Sequence, residues 1–526
     1  MKRVLILTLA LMLLTSSALA VGFDTSKGYP VVEEPVTFNI LAKQHMFHVN
    51  WDEMDLWKDY EAMTGVHIDW TLVPSESFDE KRNLLMAANE LPDAIMIANL
   101  TNEQLIQYGE DGLLVDFSGL LEYMPNLSAA MEKYPQVKAG ITMPNGAIYG
   151  LPGIFDGEFK SLIVSGGYYA QKSYLEKLNM EAPKTVDELT AYLLAVASED
   201  VDGDGDSTNE VGYMNPLANG VGSIKDAVVR LYGAYGLATL GSGKHPNLQL
   251  NEDGTLSFLP SLDRYKEVLQ KVHECYEAGV FPADVLTMDN AACYAVCAEN
   301  RVGVVPALSA TNFTTTPDDY VGLEALEGPY GDKNIAWQNM NLANVGTFVI
   351  TTDCKNPELL ASWIDWFYSD AGAIKFFMGT EGKTFDIVDG KYVYQDWVTN
   401  SPDGRSMDEI IGTFSCYPGG GAPRIVSEPF FSGTQKQPDA MALGEKNYQY
   451  LTPNAAPNFT YTLEESQKLI DLSDLITYSD NMMIQFVTGA ESFDNWDAYL
   501  QKLNQLKMDE YMEIESAAYS RYVNAL

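Results

Sequence analysis

The residues best equipped for chemistry lie in one short acidic run, Asp200-Val-Asp202-Gly-Asp204-Gly-Asp206-Ser-Thr-Asn209-Glu210. Oxygens recur at positions one, three and five, Gly205 stands sixth where a sharp turn is needed, and Asp206 at seven can offer its backbone carbonyl. That is the first half of an EF-hand calcium loop. Five carboxylates in eleven residues repel one another unless a cation lies among them, and hard oxygen ligands suit Ca²⁺. An acidic residue is expected at position twelve, where this chain has Val211; Glu210 stands one place earlier. The plainer alternative is an Asp/Gly-rich surface turn. The loop is single and follows a helix predicted over 186–197, so the ion it would hold is structural rather than a sensor.

Other chemical patterns start and stop. His273-Glu-Cys-Tyr-Glu277 opens like a zinc-protease helix but lacks the second histidine. Residues 238–245 resemble a phosphate loop only at Gly243-Lys244, with Ala238 where the first glycine belongs and His245 after the lysine. Gly-x-Ser-x-Gly does not occur, and the five histidines do not cluster at ligand spacing, His45 and His48 being the nearest pair. The five cysteines lack zinc spacing; Cys293 and Cys297, one helical turn apart, read equally well as core residues or bridge partners. A carboxylate pair for glycoside hydrolysis has no positive support among 73 acidic residues.

The elements that must carry these residues alternate. Val36–Leu41 reads as a strand, 51–63 as a helix ending at Gly65, 67–73 as a strand, 78–89 as a helix and 93–98 as a short apolar strand. Such units argue for a parallel sheet covered on both faces. The region 463–522 is helical by pattern, interrupted near Thr488-Gly489 and Asp494. Lys2 and Arg3, the apolar run 4–14 and Ala18-Leu-Ala20 form a secretory signal, cut after Ala20. The next residue is Val21, with no cysteine for lipid attachment, so the expected form is periplasmic or secreted and not inserted in a membrane. With 33 basic and 73 acidic residues the net charge is −40, which excludes nucleic acid as a partner held by charge.

Four groups of segments carry a family resemblance: Glu90-Leu-Pro-Asp93; Asn145-Gly-Ala-Ile-Tyr-Gly-Leu-Pro152 followed by 174–179 and 182–189; Gly379-Thr-Glu-Gly382 with Asp389-Gly390; and 486–489 through 496–499 to 518–522. In order and spacing they resemble the large, oligosaccharide-binding, family 1-like extracellular solute-binding proteins of bacterial ABC importers. The resemblance implies an α/β, two-lobe periplasmic-binding-protein fold of the class II type, with an interlobe cleft and a helical C-terminal region. It implies a monomer that captures an oligosaccharide, delivers it to a membrane permease and does no covalent chemistry. The expected lobes are 36–155 with about 305–375, and 156–304 with about 376–526. Family members carry a shortened EF-hand-like loop closed by an acidic residue near its end. That makes Asn209 and Glu210 closing ligands beside Asp200, Asp202, Asp204 and Asp206, in a copy one residue longer. A peptide or other organic solute, or a secreted carbohydrate-active enzyme, is the alternative function.

Sugar sites use flat aromatic faces and hydrogen-bonding side chains, and in α/β lobes these come from loops at the carboxyl ends of strands. The candidates are then Gln44, His45, Phe47 and Asn50 after the first strand, Asn99 after 93–98, and Tyr149 and Phe155 at the crossing. Ser309 and Asn312 follow 302–308, Trp337 and Asn339 lie in the next connection, and Tyr417 stands beside Gly419–Gly421. Trp337, Tyr417, His45 and Asn99 lead this set. Trp51, Trp57, Trp363 and Trp366 fit buried helix faces instead.

Overall fold

The computed structural model describes residues 21–237, 245–335, 337–452, 455 and 457–526. The predicted signal segment and residues 238–244 of the partial phosphate-loop pattern lie outside the described residues. None of the described helices is long and apolar enough to cross a membrane.

The described residues form two main sheets, of six and four strands, each with its own hydrophobic core, and three two-stranded pairs. Buried Phe38, Ile40, Leu41 and Ala42 place Val36–Gln44 inside the first, where it pairs in parallel with Val66–Pro74 and Ala94–Met96. The intervening helices are Asp55–Thr64, ended by Gly65 at φ 76°, and Ser75–Ala88, ended by Asn89 at φ 54°. The six-stranded order continues from Ala94–Met96 to Leu342–Ile350, Leu151–Phe155 and Ile425–Val426. The second sheet runs Tyr320–Gly322, Gly167–Gln171, Val302–Ala307, Val211–Tyr213.

The sheets are mixed where local pattern predicts parallel ones. Leu342–Ile350 is antiparallel to both of its neighbours, and Val302–Ala307 is antiparallel to Gly167–Gln171. A strand that returns from the other lobe enters its sheet from the cleft end, so it must run against strands built by βαβ units.

The lobe exchanges also fall later than expected. Ala307, Ala310, Phe313 and Tyr320 belong to the second core, while Phe376, Phe385, Phe414 and Phe431 belong to the first. Residues 305–323 therefore stay with the second lobe and about 376–431 with the first. Apolar pattern marks a residue as buried without saying in which core. Three crossings join the lobes and pack on one another: Ser161 Oγ donates to the Gln435 carbonyl at 2.6 Å, Asn339 N to the Ile163 carbonyl at 2.7 Å, and Tyr448 Oη to the Gly157 carbonyl at 3.0 Å.

Trp51, Trp57 and Trp363 form a buried stack, with ring centroids 5.7 Å apart at each step, and Trp366 lies on Tyr60 at 4.4 Å. All five cysteines are buried as free thiols, so Cys293 and Cys297 take the core reading.

Candidate functional site

A cavity of about 950 Å³ lies between the lobes. Its first-lobe wall is Asn99–Glu103, Asn344, Val345 and Gly419–Gly421. Asn99 sits beyond the carboxyl end of Ala94–Met96 at φ 49°, exposed toward the cavity, and Thr101 caps the helix Asn102–Glu110 through a capping box with Gln104. That box fixes the helix start and so places Asn102 and Glu103 at the cavity edge.

The opposite wall comes mainly from the C-terminal helices. Tyr511 and Glu515, four apart on Met508–Ala525, share a helical face, and Tyr461 Oη donates to Glu515 Oε2 at 2.8 Å. Tyr461 Oη also meets His245 Nδ1 at 3.1 Å, and the His245 ring stacks on Phe459 with centroids 4.1 Å apart. Burial pushes the Glu515 carboxyl up to about 7, against the hydrogen bonds from Tyr461 and Tyr511 that favour its anion.

Two buried polar atoms on this lining have no protein partner. Asn102 donates its amide to the Phe459 carbonyl at 3.2 Å and leaves Oδ1 unpaired, while Asn458 leaves Nδ2 unpaired. One is an acceptor and the other a donor. A buried polar atom left this way costs about 1–3 kcal/mol.

Of the twelve ligand candidates, Asn99 lines this cavity. His45 stands behind the wall, where a Cβ on Gly419 would come within 2.9 Å of its ring, and Tyr417 is packed edge-on against Phe377 and Phe431. Gln44 closes its own loop by donating to the carbonyls of His48 and Val49, and Asn50 caps the short helix Trp51–Glu53. Tyr149 is buried against the helix Asn102–Glu110, close to Gly109. Ser309 is fully buried and donates to Asp439 at 2.8 Å, and Asn339 donates to the Leu162 carbonyl at 2.8 Å. Asn339 ties two crossings together, and Ser309 ties the second lobe to the helix Pro438–Asn447. Trp337 lies beside Arg230 in a separate small pocket with Gly166–Tyr168. The strand-end rule finds the first-lobe wall through Asn99 and misses the second. Tyr511 and Glu515 carry a helical spacing signal, but nothing local says that their face looks across a cleft, and Tyr461 precedes the helix Leu463–Asp471 with no such signal.

The acidic loop follows the helix Val186–Ser198, which Thr185 and Glu188 start with a capping box. Carboxylate oxygens of Asp200, Asp202 and Asp204 converge within 4.8 Å of one another. Backbone amides order them: Gly203 N donates to Asp200 at 2.7 Å, Asp204 N to Asp202 at 2.9 Å and Asp206 N to Asp204 at 2.7 Å. Gly205, at φ 95°, makes the bend that a side chain would resist. Glu210 is buried; Oε1 accepts from Val201 N at 2.8 Å, and Oε2 has no partner. Asn209 gives its Nδ2 to Asp204 at 2.7 Å and keeps a buried, unpartnered Oδ1. Three gathered carboxylates with two orphaned oxygens beside them fit a hard divalent cation. Asp206 turns its carboxylate to Thr208 instead, accepting from its N at 3.0 Å and its Oγ1 at 2.6 Å, bonds that hold its pKa below the usual value. That leaves Asp206 its backbone carbonyl as a ligand.

Comparison with known proteins agrees with this architecture. The chain is 27% identical over 511 residues, covering 94% of it and 92% of the relative, to the fructooligosaccharide ABC transporter substrate-binding protein FusA of Streptococcus pneumoniae serotype 4. The structure of an EF-hand mutant of FusA in complex with fructo-nystose superposes with a TM-score of 0.75 at 24% identity, covering 93% of this chain and 100% of that one. An HMO-binding, ABC-transporter-associated solute-binding protein of Bifidobacterium longum infantis superposes with a TM-score of 0.78 at 21% identity, covering 93% and 99%. These likenesses establish the two-lobe solute-binding fold. Residues 55–383 match the family model described as bacterial extracellular solute-binding protein, and the chain belongs to that family.

Proposed function

We propose that the protein is an exported receptor that captures an oligosaccharide between its lobes and hands it to the permease of an ABC importer, without covalent chemistry. The observation that carries this reading is the interlobe cavity of about 950 Å³, lined from both lobes by the polar side chains Asn99, Asn102, Asn458, Tyr461 and Glu515. A hydroxyl is donor and acceptor at once, so a polyhydroxylated chain suits a lining that mixes amide, phenol and carboxyl groups. The names of the relatives above support the same solute class. A ligand touching both lobes stabilises the closed state relative to the open one, and closure is the signal a permease can read. Asn99 is the sequence-predicted contact this cavity supports best, joined by Asn102, Asn458, Tyr461 and Glu515.

Asp200, Asp202, Asp204, Asn209 and Glu210 would hold one structural calcium ion with the Asp206 carbonyl. The orphaned Asn209 and Glu210 oxygens support this, as does the EF-hand named for the FusA mutant. The test of the receptor reading is titration calorimetry of the mature chain against a panel of oligosaccharides. Micromolar or tighter binding without turnover is expected. Hydrolysis of a saccharide, or no binding to any of them, would overturn it.

A further inference from the structure

The two walls of the cavity each present a carboxylate. Glu103 stands in the first turn of Asn102–Glu110 on one side, and Glu515 on Met508–Ala525 on the other. Glu515 is 2% exposed and fixed by Tyr461, which His245 holds in turn, so the carboxylate cannot swing out to solvent when a ligand arrives. Burial raises the Glu515 pKa, the hydrogen bonds from Tyr461 and Tyr511 oppose that rise, and the Glu103 and Glu465 carboxylates add to it. Among the described lining residues no lysine or arginine offsets them. The surrounding protein, at −40, adds potential of the same sign.

Resting on the saccharide-receptor reading, we propose that Glu103 and Glu515 make this cleft selective for uncharged oligosaccharides and exclude chains of uronic acids. A sugar hydroxyl can donate to either carboxylate and gain a charge-assisted hydrogen bond. A uronate carboxylate has no proton to donate and, above about pH 7 where Glu515 is ionised, meets like charge from both walls, a repulsion that lobe closure would leave less screened. Specificity then rests on a repulsive element as well as on attraction.

The experiment is calorimetry of the mature chain at about pH 8.5, where Glu515 is ionised, calcium present, with two probes: a panel of neutral tri- to pentasaccharides and trigalacturonate. Wild type is expected to bind at least one neutral sugar and to bind trigalacturonate at least about tenfold more weakly. In Glu515→Gln, whose amide oxygen can still accept from Tyr461, the uronate-to-neutral affinity ratio should rise about tenfold. Glu103→Gln, at a partly exposed position on the other wall, should shift the ratio the same way and serves if the Glu515 variant melts early. Trigalacturonate binding as tightly as the best neutral sugar, or a ratio unchanged in both variants, would overturn the proposal while leaving the receptor reading intact. Absence of binding by either probe class would overturn the receptor reading and this inference with it.

Discussion

His48 shows how much one side chain settles beside the cleft. Its Nδ1 accepts from Trp51 Nε1 at 3.3 Å and from His45 N at 3.2 Å, so the proton belongs on Nε2, which donates to the Pro418 carbonyl at 2.9 Å. A second proton would have to displace two donors inside a buried site, and burial accordingly lowers the His48 pKa to about 4. The folded state thus binds fewer protons than the unfolded chain between about pH 4 and 6.5. The stabilisation is complete above pH 6.5 and is lost as the pH falls toward 4, up to about 3 kcal/mol. Denaturant melts at pH 7 and pH 5 should show wild type losing more stability than His48→Gln, which cannot titrate. Asn99 gives a second test. It already occupies the left-handed region, so Asn99→Gly keeps the backbone and removes only the amide. Saccharide affinity should fall about three- to tenfold with the melting temperature nearly unchanged; equal affinities would remove Asn99 from the site.

At the scale of elements, the acidic loop and the crossings have opposite requirements. The loop gathers charge and gains stability from a counter-ion. Calcium at a hundredfold excess over its Kd should add about 2.7 kcal/mol, read as a rise in melting temperature that EGTA reverses. Asp204→Asn should blunt that rise, and an unchanged melting temperature with EGTA would argue against a structural ion. The crossings need close packing. Gly444 passes so near the segment 160–164 that a Cβ would lie 2.5 Å from Ser161 Cα and 2.6 Å from its N, backbone atoms that cannot turn aside. Gly444→Val should therefore cost about 1–3 kcal/mol by thermal denaturation, and should weaken ligand capture because it displaces one crossing from another. Much of the loop was legible locally: Asp200, Asp202 and Asp204 converge as their spacing requires. The close packing of Gly444 was not, because it depends on Ser161, a partner that folding brings near, and the turn of the Asp206 carboxylate to Thr208 is a local bond that the calcium-loop pattern does not specify.

For the whole molecule, capture as proposed requires closure, and a saccharide that binds both walls should reduce the radius of gyration in small-angle scattering; a saturating ligand that leaves it unchanged would contradict capture by closure. The alternating strands and helices of 36–98, the helical C-terminal region and the family likeness were all readable from the chain, because local periodicity and turn residues act within a few residues of each other. The antiparallel course of Leu342–Ile350, the membership of 376–431 in the first core and the pairing of Asn102 with Phe459 across 357 residues were not. Those follow from where the chain recrosses between lobes. The sequence by itself determined which segments form strands and helices and which loop gathers carboxylates. Only the tertiary structure decided that Asn99 and Glu103 face Tyr461 and Glu515, since a cleft wall is made by residues whose separation along the chain carries no record of their distance in space.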